Sequence, residues 1–314
     1  MADITRIAVI GGGLIGQSWA ALFLAHGMRV TVQDVAEGVE ARVRDAVAAA
    51  WPDLERLGMA QGPVPQERLR FATTIGAACE GVDLVQECGP DRIDAKRAIL
   101  AEIEAGAPEA ALIASSTSSL LASDIQAQAV HPGRVLVAHP FNPPHLIPLV
   151  ELVPGKATDA EAMARAAAFY TRIGREVITL KRDVVGHVAN RLTSAVFREA
   201  VHLVSEGYAS AGDVDRAMAF GPGLRWALMG PFATYHLGGG DGGFRHYMAH
   251  LGPTQAARWA ELGDPVLSDE VSATLVDEVE GMLAGLGEGD LKRLRDEGLV
   301  GLLRLKGRIG GETE

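Results

Sequence analysis

The middle of the chain carries three stretches whose residue types could move a proton at a bound ligand. A hydroxyl-rich run, Ser115-Ser116-Thr117-Ser118-Ser119, follows one apolar segment, and a second apolar segment, residues 134–138, leads into His139. Glu151 lies inside the apolar run 147–153, where a carboxylate is costly to bury unless something pairs with it. A histidine that gains a proton during catalysis is a suitable partner. Each polar group stands at or near a predicted strand end, where open α/β sheets place their ligands.

A glycine-rich turn near the N-terminus indicates a dinucleotide site. Residues 6–10 have the pattern of a buried parallel strand, and a helical stretch from Leu14 to His26 follows the turn and ends at Gly27. Glycines in such a turn permit tight bending and close approach of the backbone to a pyrophosphate, and the helix N-terminus offers unpaired N–H groups. The expected cofactor contacts are Gly11, Gly13, Leu14, Ile15 and Gly16.

The second predicted strand, residues 28–34, ends in an acid. Asp34 lies about twenty residues after the glycine motif, where a carboxylate can accept hydrogen bonds from the adenosine ribose hydroxyls. A 2′-phosphate would meet that carboxylate, so Asp34 favours NAD over NADP. The structural alternative is an aspartate in a turn at a strand end, which does not account for the whole strand–turn–helix–strand unit.

The elements that would position these residues alternate between strand and helix up to residue 180, as in a doubly wound parallel sheet. From Gly186 onward the pattern changes to long helical stretches, with broad apolar faces that indicate a dimer interface or pack only on one another. We expect an α/β protein in which a Rossmann-type NAD-binding domain, residues 1–184, precedes an all-helical substrate and dimerisation domain, residues 185–314.

Composition excludes several classes of protein. The chain has 314 residues, enough for two domains, and no segment is long and apolar enough to cross a bilayer. Its net charge of −11 speaks against a nucleic-acid partner, because phosphate binding depends on clustered Lys and Arg. The two cysteines, Cys79 and Cys88, imply neither a disulfide framework nor a cysteine metal cluster. We expect a cytoplasmic protein that binds a small molecule and no metal.

Six ordered motifs make the chain resemble the 3-hydroxyacyl-CoA dehydrogenase superfamily over nearly its whole length. They are Gly11-x-Gly13-x-x-Gly16, Ser115-Ser116-Thr117-Ser118-Ser119, His139-Pro140-Phe141-Asn142-Pro143, Leu149-Val150-Glu151-Leu152-Val153, Gly186-His187-Val188-Ala189-Asn190-Arg191 and Met229-Gly230-Pro231-Phe232. Within the superfamily the chain most resembles the branch that acts on free hydroxy acids, which holds the L-carnitine and L-gulonate 3-dehydrogenases, the latter also known as lambda-crystallin. Three segments look closest to the carnitine enzymes: Ala50-Trp51-Pro52, Gly223-Leu224-Arg225-Trp226 and Arg245-His246-Tyr247-Met248.

The resemblance implies a role for each polar group. It makes His139 the general base, Glu151 its partner, and Ser118 and Asn190 the groups that hold the reacting oxygen. It also places Asp91, Lys96, Ser118 and Asn142 near the cofactor. The chemistry agrees, because the 3-hydroxyl must lose a proton as hydride leaves C3, and a neutral imidazole can accept it near physiological pH. Taken singly, His139 could be a turn residue, Ser118 a helix cap and Asn190 a residue of a first helical turn.

Charge and aromatic residues bear on the substrate. A free hydroxy acid carries a carboxylate, which suits the planar fork of Arg225. A trimethylammonium group would need aromatic faces. The chain has few aromatic residues but concentrates six of them between residues 226 and 259, namely Trp226, Phe232, Tyr235, Phe244, Tyr247 and Trp259. The core of a helical bundle also uses aromatic residues. The candidate substrate contacts are Ser118, Asn190, Arg225, Trp226, Phe232 and Tyr235.

L-Carnitine is accordingly the leading substrate, and three alternatives stay open. Residues 37–70 contain no lysine and more acids than arginines, which is poor ground for the phosphates of a short-chain hydroxyacyl-CoA. L-Gulonate would want polar partners for its hydroxyls, and His236, Asp241, Arg245 and His246 could supply them. A non-catalytic, crystallin-like NADH-binding protein would be expected to lack a catalytic group, whereas all four are present.

Overall fold

The computed structural model describes residues 3–311 and divides into two compact units, the first ending at Arg191 and the second beginning at Leu192. The first unit is built on an eight-stranded sheet. Its strands are β1 (Arg6–Ile10), β2 (Arg29–Gln33), β3 (Leu69–Ala72), β4 (Leu84–Glu87), β5 (Leu112–Ser115), β6 (Val135–Pro140), β7 (Leu149–Pro154) and β8 (Glu176–Thr179). Its helices are α1 (Leu14–Ala25), α2 (Val39–Arg56), α3 (Ile75–Cys79), α4 (Ile93–Gly106), α5 (Ala122–Gln126) and α6 (Ala160–Arg172). The predicted functional division at residues 184 and 185 stays a prediction.

The strand order is β3-β2-β1-β4-β5-β6-β7-β8, so the order reverses between β1 and β4. This is the topological switch point, outside whose carboxyl edge open α/β sheets bind ligands. The Rossmann-type sheet predicted from the sequence is confirmed. One pair differs from the expected parallel arrangement, because β6 and β7 are antiparallel and β8 then pairs with β7 in parallel. The connection between β6 and β7, residues 141–148, is too short for the crossover that parallel pairing requires.

Both faces of the sheet are covered by apolar side chains, as a parallel sheet requires. On one face the strands pack with residues of α1, α2 and α6, including the stacked pair Trp19 and Phe23 with ring centroids 5.1 Å apart. On the other face they pack with residues of α3, α4 and α5. The four residues of β4 and the four of β5 are all buried. The loops after β1, β4, β5 and β6 emerge from the carboxyl edge of this packed sheet.

The second unit is helical, as the sequence predicts. The helix α7 (Ala189–Ser205) begins before the boundary between the units, and it is followed by α8 (Ala211–Phe220), α9 (Pro222–Trp226), α10 (Pro231–Gly238), α11 (Gly243–Ala260), α12 (Asp269–Met282) and α13 (Glu288–Gly311). Over residues 3–311, no helix has both the length and the apolar character that crossing a membrane would need.

Candidate active site

A cavity of about 550 Å³ lies at the carboxyl edge of the sheet. It is lined by the end of β6, by the loops after β4, β5 and β6, and by residues of α1, α4 and α7. Seven of the predicted site residues line it, namely Ile15, Asp91, Lys96, Ser118, His139, Asn142 and Asn190. The fold therefore brings together side chains that are as far apart in the sequence as Ile15 and Asn190. Cavities with a few convergent polar groups at a switch point are typical of small-molecule sites.

His139 and Glu151 form a buried pair on adjacent strands. They are directly opposite each other in the register of β6 and β7, and His139 Nδ1 lies 2.8 Å from Glu151 Oε2. The other carboxylate oxygen, Oε1, accepts hydrogen bonds from the backbone N–H groups of Val188 at 2.9 Å and Ala189 at 3.0 Å. The antiparallel pairing thus places the buried Glu151 carboxylate beside the His139 imidazole, the partner that the sequence analysis predicted for it.

The charge of Glu151 sets the tautomer of His139. Burial raises the pKa of Glu151, but the hydrogen bonds from His139, Ala189 and Val188 together outweigh burial and hold that pKa below its usual value. The ionised carboxylate can only accept a hydrogen bond, so Nδ1 of His139 carries the proton. In the neutral ring Nε2 is then a lone-pair acceptor, which is the form that a general base requires.

Asp91 organises the hydroxyl-rich turn after β5. Its carboxylate accepts hydrogen bonds from the hydroxyls of Thr117, Ser118 at 3.1 Å and Ser119 at 3.0 Å. Burial raises the pKa of Asp91, but these hydrogen bonds and the nearby Lys96 charge outweigh burial and lower it. The Ser118 hydroxyl proton is directed at Asp91, so this hydroxyl must rotate to donate to a bound oxygen.

Asn190 closes the same turn from the other side. Its Nδ2 donates to the backbone carbonyl of Ser118 at 3.1 Å, and both residues line the cavity. The two groups predicted to hold the reacting oxygen are therefore neighbours in the structure. A side-chain amide and a hydroxyl are suitable donors to an oxygen that becomes a carbonyl.

Lys96 is held by a buried network that the sequence did not predict. Its Nζ lies 2.7 Å and 2.9 Å from the two oxygens of Glu87 and 3.0 Å from the carbonyl oxygen of Gly89. The Ser115 hydroxyl also donates to Glu87, at 2.6 Å. An ammonium has three N–H donors, so these acceptors can occupy all of them. The sequence does contain a pattern that could have indicated Glu87. This acid ends an apolar strand, just as Glu151 lies within one, and a buried carboxylate needs a partner.

The glycine turn has the shape that a bound pyrophosphate needs. Gly11 has φ of +103°, and a Cβ there would lie 2.5 Å from the carbonyl oxygen of Cys88. A Cβ on Gly16 would lie 1.9 Å from the carbonyl oxygen of Gly11, whereas a Cβ on Gly13 would meet no protein atom within 4 Å. Packing therefore accounts for Gly11 and Gly16, and Gly13 leaves open space at the start of α1. That helix start has no side-chain cap and no acid in its first turn, so it suits an anion.

Asp34 lies beside this turn at the end of β2. Its Oδ2 accepts a hydrogen bond from the N–H of Gly12 at 2.6 Å, and its Oδ1 accepts one from Ala36 at 2.8 Å. A carboxylate offers about four lone-pair sites, so acceptor capacity remains for other donors. These two bonds also hold the glycine turn, so Asp34 has a structural function in addition to the cofactor contact predicted for it.

Both halves of the chain match one protein family. The NAD binding domain of 3-hydroxyacyl-CoA dehydrogenase matches residues 6–184, and the C-terminal domain of 3-hydroxyacyl-CoA dehydrogenase matches residues 186–272. The chain belongs to the 3-hydroxyacyl-CoA dehydrogenase family. It is an NAD-dependent oxidoreductase that acts on a CH–OH group, as the sequence motifs predict.

Relatives in this family cover nearly the whole chain. L-Carnitine dehydrogenase of Streptomyces griseus subsp. griseus is 44% identical over 312 residues, which are 99% of this chain and 93% of that protein. L-Carnitine dehydrogenase of Streptomyces coelicolor is 44% identical over 312 residues, 99% of this chain and 98% of that protein. Among solved structures, FHMPC 5-dehydrogenase, an NAD⁺ dependent dismutase, superposes with a TM-score of 0.80 at 29% identity, covering 98% of this chain and 99% of that one.

The predicted substrate contacts of this dehydrogenase that lie in the helical unit fall on two short helices. Arg225 and Trp226 belong to α9, and Phe232 and Tyr235 belong to α10. No residue that the structure describes forms an ion pair with Arg225. Trp226 is 41% exposed and Phe232 is 76% exposed.

The aromatic residues of the helical unit divide between core and surface. Tyr235 stacks on Tyr247 with ring centroids 4.7 Å apart. Phe232 contacts Phe244 edge-to-face, with ring centroids 6.0 Å apart. Tyr247 is 5% exposed, so this aromatic side chain belongs to the core of the helical unit. Tyr235 presents a partly exposed face beside it.

Proposed function

We propose that this dehydrogenase oxidises the 3-hydroxyl of L-carnitine with NAD, giving 3-dehydrocarnitine and NADH. The observation that carries the chemistry is the buried His139–Glu151 pair, 2.8 Å apart, at a cavity that His139 lines together with Ile15 at the start of α1. The substrate is supported by relatives named L-carnitine dehydrogenase that are 44% identical over 99% of the chain.

His139 Nε2 takes the proton of the substrate 3-hydroxyl, since Glu151 holds the proton of the free imidazole on Nδ1. NAD, when bound, accepts hydride from C3 of the substrate. Glu151 stays ionised and stabilises the imidazolium that forms, while the two backbone N–H groups on Oε1 keep the carboxylate in place. Ser118 and Asn190 donate hydrogen bonds to the oxygen as it becomes a carbonyl.

The residues of the first unit fit NAD. The open space at Gly13 and the uncapped N–H groups of Leu14 and Ile15 suit the pyrophosphate, and the unused acceptor capacity of Asp34 suits the ribose hydroxyls. Asn142 lines the cavity and can contact the cofactor directly. We assign Asp91 and Lys96 to holding the loops that face the cofactor, because their hydrogen bonds go to Ser118 and its neighbours and to Glu87 and Gly89.

Arg225 and the aromatic side chains of α9 and α10 are proposed to bind the two ends of carnitine. An arginine fork without an ion pair inside the described residues is suited to a carboxylate, and the exposed faces of Trp226, Phe232 and Tyr235 suit a quaternary ammonium.

The arginines of residues 37–70 do not favour a CoA ester. Arg44 pairs with Glu40 at 2.8 Å, and Arg56 pairs with Asp53 at 2.8 Å. Arg42 and Arg68 donate to the backbone carbonyls of Glu37 and Gly27, respectively. These local partners leave few guanidinium groups for the phosphates of CoA.

We also propose a cytoplasmic homodimer that associates through its helical domain, residues 185–314. Large apolar side chains are exposed on several helices of the second unit, including Phe197 at 61%, Phe220 at 77% and Trp259 at 67%. A second copy of the chain would cover them. Cys79 and Cys88 are both free thiols, which suits a reducing compartment.

The deciding experiment measures initial NAD reduction with L-carnitine, L-gulonate and 3-hydroxybutyryl-CoA side by side. Preference for L-carnitine supports the proposal, whereas preference for gulonate or the CoA ester refutes the substrate and leaves the hydride-transfer site standing. If the protein binds NADH but oxidises none of the three substrates, the result would favour the non-catalytic, crystallin-like alternative.

Arg225→Gln tests the carboxylate contact. Loss of a charge-assisted hydrogen bond costs about 1.5–3 kcal/mol, so KM for carnitine should rise about 10- to 100-fold. The matched control is Arg216→Gln, which breaks an exposed pair with Asp213 and should leave KM unchanged. An unchanged KM in the Arg225 variant would remove this residue from the substrate site.

A further inference from the structure

His187 lies beside the catalytic pair in a backbone conformation that few residues adopt. Its φ is +51°, in the left-handed region, and it follows Gly186 at φ +74°. Such outliers in residues with a side chain persist only where the surroundings hold them, and they cluster at functional sites. Here the two left-handed residues turn the chain so that the next two N–H groups, of Val188 and Ala189, both reach Oε1 of Glu151.

The imidazole of His187 is fixed in one tautomer. It is 0% exposed, and its Nε2 lies 3.1 Å from the backbone carbonyl oxygen of Thr117. A carbonyl oxygen only accepts, so Nε2 carries the proton. Nδ1 has no hydrogen-bond partner among the residues described, which a lone pair tolerates better than an N–H of the charged ring would.

Two ionisable groups face this imidazole from neighbouring strands. The ring centroid of His139 on β6 lies 5.1 Å from that of His187. Glu151 on β7 interacts electrostatically with the same ring. Burial lowers the pKa of His187 most, and positive charge on His139 lowers it further. The hydrogen bond to Thr117, the charge of Glu151 and the backbone contact with Val184 raise that pKa, but they do not outweigh burial. The net direction is down, which favours the neutral ring of His187.

Two side chains of the segment that follows β8 reach consecutive carbonyls of the hydroxyl turn. His187 donates to Thr117, and Asn190 donates to Ser118 at 3.1 Å. The segment thus connects three parts of the site: the turn that carries Ser118, the amide groups on Glu151, and Asn190 itself. His187 also contacts the ring of the general base, with the two ring centroids 5.1 Å apart.

We propose that His187 is a positioning residue of the dehydrogenase site, whose neutral Nε2–H ties the Thr117 carbonyl to the segment that supplies Asn190 and the two amides on Glu151. The inference rests on the proposed function of His139 and adds a residue to it. A neutral His187 ring does not oppose protonation of His139 during the reaction. A charged ring, with its centroid 5.1 Å from that of His139, would repel the imidazolium that forms.

Two substitutions separate the hydrogen bond from the backbone conformation. Asparagine tolerates the left-handed region best, but its side chain is too short to place an N–H where His187 Nε2 lies. Glutamine places an amide nitrogen at about that reach and cannot ionise. In H187N we expect kcat to fall about tenfold with the Kd for NADH unchanged, and in H187Q we expect recovery to within about threefold of wild type.

The exposed His131 provides the matched control, since H131N removes an imidazole outside the site and should leave kcat unchanged. Thermal melts establish that each variant is folded. Equal kcat in wild type and H187N, or equal loss in H187N and H187Q, would overturn the proposal. In wild type, kcat/KM should fall at low pH as the general base is protonated. The same fall should persist in H187Q, and its disappearance would make His187 the titrating base and overturn the proposal.

Imidazole ¹⁵N NMR of the wild-type protein tests the tautomer without any substrate. We expect the His187 signals of a neutral Nε2–H ring at about pH 7 to pH 8, above the ordinary histidine pKa of about 6.5. A charged ring or an Nδ1–H tautomer would overturn the positioning role. If the tautomer is as expected but no carnitine is oxidised, the proposed substrate fails while the tie between His187 and Thr117 stands.

Discussion

Glu151→Gln is the most informative perturbation of the site. The side chain is 0% exposed, accepts from His139 Nδ1 at 2.8 Å, and receives two backbone N–H groups on its other oxygen. Glutamine keeps the volume and an oxygen for the two amides, but it removes the charge. Its NH₂ group would face Nδ1 of His139, which must then accept, so the ring proton moves to Nε2 and the base is blocked.

The magnitude follows from the charge pair. Unit charges about 4 Å apart interact by about 4 kcal/mol at an effective dielectric constant of about 20, and charge-assisted hydrogen bonds contribute about 1.5–3 kcal/mol by mutation. A loss of about 3 kcal/mol from the transition state lowers kcat about 10²-fold, and the unfavourable tautomer lowers it further.

The assay is NADH formation at saturating NAD and substrate, together with a titration of NADH fluorescence. We expect kcat to fall at least about 10²-fold while the Kd for NADH stays within about twofold, because Glu151 contacts His139 rather than the glycine turn. Glu40→Gln is the control, since Glu40 pairs with Arg44 on the exposed surface of α2 and its loss should not change kcat. Near-normal turnover in the Glu151 variant would refute the pairing mechanism.

Four further outcomes test the same reasoning. His139→Ala should nearly abolish turnover with NADH binding intact, and a persistent rate would contradict its role as base. Asp34→Ala should relax discrimination against NADP, and unchanged discrimination would mean that another group reads the ribose. Gly13→Ala should leave the Tm unchanged and weaken NADH binding, whereas Gly16→Ala should lower the Tm because its Cβ would lie 1.9 Å from the Gly11 carbonyl oxygen; equal effects of the two would contradict the assignment. Because the folded pKa of Glu151 lies below its usual 4.5, its contribution to stability is complete above pH 4.5 and is lost as pH falls through the lower folded value. Denaturant titrations should therefore show the stability difference between wild type and Glu151→Gln shrinking only below pH 4.5, and a difference that does not depend on pH would contradict it.

Local sequence patterns predicted most of the first unit. The strand–turn–helix pattern around Gly11 and Gly16 appears in the structure as β1 and α1, with Gly27 in the left-handed conformation expected after the helix. Such features depend on nearest neighbours along the chain, which the order of residue types records directly. The direction of β7 did not follow from its apolar pattern, because a buried strand has the same composition in either direction.

The contacts that sequence reasoning missed are those made through space. Glu87 and Lys96 are nine positions apart, yet only the folded loop shows that the ammonium is enclosed by Glu87 and Gly89. His187 stood within a quoted motif, but nothing in the sequence indicates a left-handed φ or a carbonyl from residue 117 as its partner.

By itself, the sequence determined the family, the cofactor class and the chemical types at the site, because glycine spacing, an acid after the second strand and a carboxylate in an apolar run each have a local physical meaning. Only the tertiary structure decided which partners those groups have. The antiparallel register of β6 and β7 sets Glu151 opposite His139, and the turn at Gly186 and His187 directs two amides at the same carboxylate. Hydrogen bonds have ranges of about 3 Å, so proton position depends on contacts that no spacing along the chain specifies.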